Sequence, residues 1–240
     1  MIRLDKLLTD KGLVESRQTA SDLIEEGGVQ VNGTVVSKPG KKFPEDVSIE
    51  LIKQPLSWVS KGALKLLAAL EHWEIDVKDL EVMDVGSGTG GFTEVLLSRN
   101  VGKIIAIDSG KDQMPQELIS NAKVDLRDNT NFKTMPPLDP KMQMATVDIS
   151  YSPLKSIWPL LQQSLVSGAH IIAVVKPQFE VVRNQLTRGG VVVNDLFRSK
   201  TLDRTIKFAE RENFEVIGWI ESPVDTKDHN REYIIYLRRV

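Results

Sequence analysis

EVMDVGSGTGGF, residues 81–92, passes within twelve residues from a largely apolar run to a turn carrying glycine at 86, 88, 90 and 91. A short apolar run that stops at glycines reads as a strand buried on both faces, and the residues from Gly91 onward read as a helix. Glycines 86, 88 and 90 let the backbone turn tightly and approach a ligand, with the free N–H groups of the helix start facing it. The candidate ligand-binding set is therefore Asp84, Gly86, Ser87, Gly88, Gly90, Gly91 and Phe92. Asp108 joins it. It ends the next apolar run, IIAID, 24 residues after Asp84, where a carboxylate accepts the ribose hydroxyls of a nucleotide-type ligand.

Outward from this loop, strands and helices alternate. EVMDVG is followed by KIIAID, a helix near 113–120, a weak strand at KVDL, then MATVDIS and a helix near 156–167. AHIIAVVK, a long helix from Asp195, FEVIGWI and EYIIYLRR complete the series. The pattern predicts a seven-strand α/β sheet. FEVIGWI and EYIIYLRR are joined by a loop too short for a crossover helix, so the last strand should run antiparallel to the others. Residues 177–194 show no periodicity and are expected to form a functional loop. The dinucleotide fingerprint is G-x-G-x-x-G, whereas the spacing here is G-x-G-x-G with an acid two positions before the first glycine. That pattern resembles the first motif of S-adenosylmethionine-dependent methyltransferases, whose seven-strand core also ends antiparallel. A nicotinamide oxidoreductase is the rival reading, and it accounts less well for the terminal strand pair.

The amino-terminal part is a smaller module. Leu4, Leu7 and Leu8 share a helical face. A second helix opens at Ser16, an N-cap residue type, carries Ala20, Leu23 and Ile24 on one stripe, and ends at Gly27–Gly28. VQVNGTVV predicts a hairpin around Asn32–Gly33, because both turn residues tolerate positive φ. VSIELI closes the unit. The expected division is residues 1–52, a join at 53–59 (KQPLSWV), and a second domain at 60–240.

Bulk composition narrows the function. The chain of 240 residues has no cysteine, which excludes disulfides and thiol catalysis, and only three histidines, so no metal site is expected. The net charge of -2 gives no general attraction to polyanions; nucleic-acid binding must come from a local patch. No apolar run approaches the roughly 20 residues of a membrane span. The charged start MIRLDKLLTDKG lacks the apolar core of a signal peptide, so a cytoplasmic location is expected.

GALKLLAAL, residues 62–70, sets one lysine in an otherwise apolar helix. Such a lysine must reach water, pair with an acid or work in a cleft. Ligands of open α/β sheets bind beyond the carboxyl ends of the parallel strands. Asp148 ends MATVDIS and Lys176 ends AHIIAVVK at that edge. Glu232 begins the antiparallel last strand there, and Lys65 can reach the same place. Two lysines and two acids suit methyl transfer to an alcohol: one lysine accepts the hydroxyl proton and the acids hold the ammonium groups in line.

With these residues in hand, the chain resembles the TlyA family, often labelled haemolysin A, in which an RNA-binding domain precedes an FtsJ-like ribose 2′-O-methyltransferase. RLDKLLTDKGLVESRQTASDLIEEGGVQVNG, with the later KP, is similar to the αL-type RNA-binding domain first named for a small-subunit ribosomal protein. VSKGALKL, DVGSGTGGFT, VDIS, VKPQFE and HNREY match the catalytic module. The resemblance implies that Lys65, Asp148, Lys176 and Glu232 form the catalytic set, with Lys176 as proton acceptor and S-adenosylmethionine as cofactor. It also implies cytidine 2′-hydroxyls of ribosomal RNA, in one or both subunits, as the acceptor. DNTNF (128–132) stands at the family's E-R-T-N-x-R position, which puts Asp128 and Asn129 in the cofactor set and lacks both arginines. Arg3, Arg17, Lys38 and Lys41 are the candidate RNA contacts. Two other readings of the same resemblance are a non-catalytic RNA-binding assembly factor and a membrane-lytic protein.

Overall fold

The computed structural model describes residues 1–53, 57–224 and 230–240. The chain divides into two compact units, Met1–Ser60 and Lys61–Val240. The expected join is thus partly absorbed by the first unit: the Ile52 and Lys53 N–H groups donate to the Gly28 carbonyl, and Lys53 Nζ donates to the Glu26 carbonyl at 2.6 Å. Residues 54–56 of that join lie outside the described residues.

In the first unit, helices span Leu4–Asp10 and Arg17–Glu25. Ser16 Oγ accepts the Thr19 N–H at 3.1 Å, which satisfies a helix-start donor. Gly27 at φ 68 and the Gly28 N–H, bonded to the Leu23 carbonyl, close the second helix. Val29–Val31 and Thr34–Val35 form the hairpin, with Asn32 and Gly33 both at positive φ as a type I′ turn requires. Ile49–Leu51 pairs antiparallel with Val29–Val31. Leu4, Leu8, Ala20, Leu23, Ile24, Val29 and Val31 fill one small core between helices and sheet. A second strand pair, Ile2–Arg3 with Lys42–Phe43, was not expected; two-residue strands leave no periodicity to read.

In the second unit the strands are β1 (Glu81–Val85), β2 (Lys103–Ile107), β3 (Val124–Arg127), β4 (Met142–Val147), β5 (Leu165–Val175), β6 (Phe214–Glu221) and β7 (Tyr233–Arg239). The helices are α1 (Gly62–His72), α2 (Gly91–Ser98), α3 (Gln116–Ile119), α4 (Trp158–Ser164), α5 (Pro177–Glu180) and α6 (Asp195–Arg211). The sheet order is β6-β7-β5-β4-β1-β2-β3. Strands β1 to β5 are mutually parallel where they pair, and β7 lies antiparallel between β5 and β6. This is the expected seven-strand sheet with its last strand reversed. Both faces are covered, so β1, β2 and β4 are almost wholly buried, as their unbroken apolar runs demand. Trp158 and Phe214 meet at 5.6 Å in the core beneath α4 and α6.

Three local expectations change. The helix near 113–120 contracts to Gln116–Ile119, because Pro115 disfavours the helical conformation of the residue before it and is itself extended as the N-cap. The helix near 156–167 ends at Ser164, and Leu165–Ser167 already belong to β5, an eleven-residue strand with a register shift between Leu165 and His170. The aperiodic stretch 177–194 contains α5 and a 3-10 turn at Arg183–Gln185.

Candidate active site

Four charged side chains from four places in the sequence meet at one edge of the sheet. Asp148 follows the last residue of β4, Lys176 follows the last residue of β5, and Glu232 precedes the first residue of β7. The registers Val85↔Val147 and Val175↔Tyr233 make these strands finish or start at one level. Lys65 comes up from α1, whose Ala63, Leu66, Ala69 and Leu70 are buried. Lys65 Nζ lies 2.7 Å from Glu232 Oε2 and 3.2 Å from Asp148 Oδ2. Lys176 Nζ lies 2.6 Å from Asp148 Oδ1 and donates to Ser150 Oγ at 2.9 Å. Asp148 therefore bridges both lysines.

The electrostatics separate the two lysines. The Lys65 side chain is only 8% exposed. Burial pulls its pKa down, but Asp148 and Glu232 outweigh that and leave it above the ordinary lysine value. Asp148 shows the converse: burial pushes its carboxyl up, Lys65 and Lys176 outweigh burial, and the net shift is downward. Lys65 is thus a fixed cation held by two carboxylates, whereas Lys176 touches one carboxylate and a hydroxyl. Gln178 Nε2 donates to Glu232 Oε1 at 3.4 Å. Ser150 and Gln178 were not singled out from the sequence; both sit within two residues of a predicted site residue, which is the only signal that could have found them.

Asp148 also forms part of the wall of a cavity of about 580 Å³ at the carboxyl ends of β1, β2 and β4. Gly86, Gly88 and Asp108 line it, together with Ile107, Phe132 and Ile149. Asp108 accepts from the Gly88 N–H through Oδ2 at 2.8 Å and from the Gly110 N–H through Oδ1 at 2.6 Å, so its carboxylate is fixed in place. Gly86 is at φ 84, and a Cβ there would stand 2.7 Å from the Asp148 carbonyl oxygen; only glycine lets the two loops approach this closely. A half-apolar cleft of this size, with one ordered carboxylate, glycine backbone and an aromatic ring, fits a nucleoside-containing cofactor. Ser87 Oγ is buried with no hydrogen-bond partner among the described residues.

Several predicted cofactor residues stand behind the cavity instead of lining it. Asp84 is fully buried; its oxygens accept from Thr93 and Thr146 hydroxyls, each at 2.8 Å, tying the loop to α2 and β4. Burial raises its pKa to about 6 against the opposing pull of those two hydrogen bonds. Gly90 is at φ 90, and a Cβ there would meet Leu118 and Met114, so packing requires it. Gly91 and Phe92 are buried at the start of α2. Asp128 accepts the Asp112 N–H and Asn129 bonds back to the Gly110 carbonyl, while the next residues, Thr130, Asn131, Phe132 and Lys133, form the wall. Tyr151, another wall residue, is 89% exposed at φ 63 and packs its ring 5.2 Å from Phe179.

In the first unit, Arg3 and Arg17 both reach the buried carboxylate of Asp5, at 2.7 and 3.2 Å. The Arg3 hydrogen bond is the main reason that the Asp5 pKa falls to about 2, ahead of the opposing effect of burial. The 38–41 turn packs beside them: the Asp5 N–H donates to the Pro39 carbonyl and the Leu4 N–H to that of Lys41. Lys41 Nζ lies 5.3 Å over the Phe43 ring. Arg3, Arg17, Lys38 and Lys41 are therefore brought into one neighbourhood.

A glycine loop opening into a cavity at the edge of a seven-strand sheet with a reversed last strand, joined to a lysine–carboxylate cluster, is the architecture of the S-adenosylmethionine-dependent methyltransferases. Comparison with known proteins carries this further. Residues 58–239 match the FtsJ-like methyltransferase family and residues 2–47 match the S4 domain. The chain belongs to the TlyA family of FtsJ-like methyltransferases with an amino-terminal S4 domain. It is 36% identical over 238 residues to YqxC of Bacillus subtilis, provisionally named an rRNA methyltransferase, covering 98% of this chain and 85% of that one. It is 33% identical over 239 residues to the 16S/23S rRNA (cytidine-2'-O)-methyltransferase TlyA of Mycobacterium tuberculosis, covering 98% and 89%. A solved chain from Streptococcus thermophilus, provisionally named a hemolysin, superposes with a TM-score of 0.80 at 32% identity, covering 100% of this chain and 88% of that one. Among the described residues, no helix is long and apolar enough to cross a membrane.

Proposed function

We propose that the chain transfers a methyl group to a ribose 2′-hydroxyl of ribosomal RNA, at cytidine. The observation that carries this reading is Asp148, which bridges Lys65 and Lys176 while forming part of the cavity wall. S-adenosylmethionine, when bound, supplies the methyl group as an already activated sulfonium. Gly86, Gly88 and Asp108 would hold it, with Asp108 directed at ribose hydroxyls and Phe132 offering an aromatic face. The chain's own task is then to place a weakly acidic hydroxyl and take its proton. Lys65, kept charged by Asp148 and Glu232, orients the carboxylates. Lys176, in its neutral form, accepts the proton at Nζ, and Ser150 steadies that nitrogen. Tyr151 offers an exposed ring at the cavity mouth on which an unstacked base can lie.

The S4 unit supplies RNA affinity through Arg3, Arg17, Lys38 and Lys41, with Asp5 holding the two guanidinium groups in position. The names of the relatives support ribosomal RNA and cytidine as the acceptor. A non-catalytic assembly factor is not favoured, because such a factor has no use for a complete and mutually paired set of four charges. The test is incubation with labelled S-adenosylmethionine and ribosomal subunits from a strain lacking the enzyme, followed by mapping of the modified ribose. Lys176→Ala should bind S-adenosylhomocysteine normally and transfer no methyl group. Full activity in that variant would refute the assigned role.

A further inference from the structure

Away from the active site, helix α6 carries Lys200, Arg204, Lys207 and Arg211 at intervals of four, three and four residues, which places them on one face. These four cations, with Asp203 and Phe208, line a surface groove of about 420 Å³. Asp203 is the one acid among those six residues. All four basic side chains are exposed, and among the described residues no ion pair engages Lys200, Lys207 or Arg211. Such a concentration is unusual for a chain of net charge -2, since like charges spaced three and four apart on a helix repel one another. Phe208 holds two cations in place: Lys155 Nζ and Arg211 Cζ each lie 5.8 Å from its ring centre.

A chain of contacts links the groove wall to Tyr151 in the cavity wall. Arg204 donates to the Glu180 carbonyl, and Glu180 Oε1 accepts the Leu154 N–H at 2.6 Å, next to Lys155. Helix α5, which contains Glu180, begins directly after Lys176, and Phe179 packs on Tyr151.

We propose that this groove, lined by Lys200, Arg204, Lys207 and Arg211 with Lys155 against the Phe208 ring, binds the phosphodiester backbone of the RNA strand that leads away from the reacting ribose. Charge complementarity selects the occupant: a row of unpaired cations along one helix matches a row of phosphates, and the ring of Phe208 offers no base-specific donor or acceptor. The groove therefore adds affinity and register without sequence preference. The inference rests on the RNA methyltransferase reading given above.

The test uses the full chain and the triple variant Lys200→Ala/Lys207→Ala/Arg211→Ala, all exposed positions outside the catalytic set. Binding to unmodified ribosomal subunits and to a 20-base-pair RNA duplex of arbitrary sequence is measured across a salt series. Loss of three phosphate contacts should lower affinity about 100-fold near 0.15 M salt and reduce the log–log salt slope by about 2–3. S-adenosylhomocysteine binding and the unfolding midpoint should stay unchanged, which separates lost contact from lost fold. Unchanged affinity and slope in the variant would overturn the groove proposal even if the wild-type chain methylates ribosomal RNA. A wild-type chain that methylates no ribosomal RNA would instead sink the underlying reading, whatever the groove binds.

Discussion

Lys65→Met tests whether the buried cation holds the catalytic edge together. The wild-type ammonium sits 2.7 Å from Glu232 and 3.2 Å from Asp148, with both carboxylates largely buried. Methionine keeps the stem volume and leaves two acids facing one another. Breaking a buried ion pair by removing one partner costs about 3–5 kcal/mol. The lower end applies here, because Asp148 keeps Lys176 at 2.6 Å and Glu232 keeps the Gln178 amide. About 3 kcal/mol in a unit of this size lowers the thermal midpoint by roughly 6–12 °C. The sign with pH follows from the wild-type shifts. Lys65 has a raised pKa, so its contribution is complete below the unfolded lysine value and is lost only at high pH. Asp148 has a lowered pKa, so its contribution is present above the ordinary carboxylate value and is lost in acid. In the variant the stranded acids take up a proton instead, and the deficit should shrink between pH 7.5 and pH 5. Adding Glu232→Gln should recover about 1–2 kcal/mol without recovering methyl transfer. Urea and thermal unfolding at the two pH values measure all of this. A single variant as stable as wild type, or a double variant less stable than the single, would refute the reasoning.

Other outcomes follow from the same geometry. Asp84 has a folded pKa of about 6 against 3.8 for a free carboxyl, so its favourable contribution is complete below pH 4 and disappears above pH 6. Asp84→Asn should gain about 3 kcal/mol relative to wild type on going from pH 4 to pH 8, read by urea titration; a difference independent of pH contradicts the buried-charge account. Gly86→Ala combines a positive φ with a 2.7 Å approach to the Asp148 backbone. It should destabilise the fold by about 2–4 kcal/mol and weaken S-adenosylhomocysteine binding at least tenfold by calorimetry. Tyr151→Ala removes an exposed ring but keeps the Cβ that its positive φ disfavours, so stability should change by less than about 1 kcal/mol. Methyl transfer to ribosomal RNA should fall at least tenfold, and unaltered transfer would remove the ring from the reaction.

Much of the architecture was readable because it depends on local signals. The unbroken apolar runs of β1, β2 and β4 mark strands buried on both faces, and the short link before β7 dictates its reversal. Convergence of Asp148, Lys176 and Glu232 followed from one rule of topology: strand ends in a parallel sheet share an edge. Lys65 was added from its place on a helix leading to that edge. The rest depended on tertiary contacts that leave no periodic trace. Asp84 looks like a ligand group in the sequence, yet Thr146, 62 residues away, claims one of its oxygens. The cavity wall runs through Thr130–Lys133 and not through Asp128 and Asn129, which bond to the Asp112 N–H and the Gly110 carbonyl instead. The α6 groove was missed because its charges, taken singly, look like any solvated helix face.

The placement of β7 between β5 and β6 has an outcome for biosynthesis. Strands β1 to β5 can pair as they leave the ribosome, but Lys65 must wait for Glu232, some 167 positions later, before its charge is fully matched. A nascent chain therefore carries an unfinished centre until Glu232 has been made. A premature stop between β6 and β7 would leave β6 with no strand to pair with and Lys65 without Glu232.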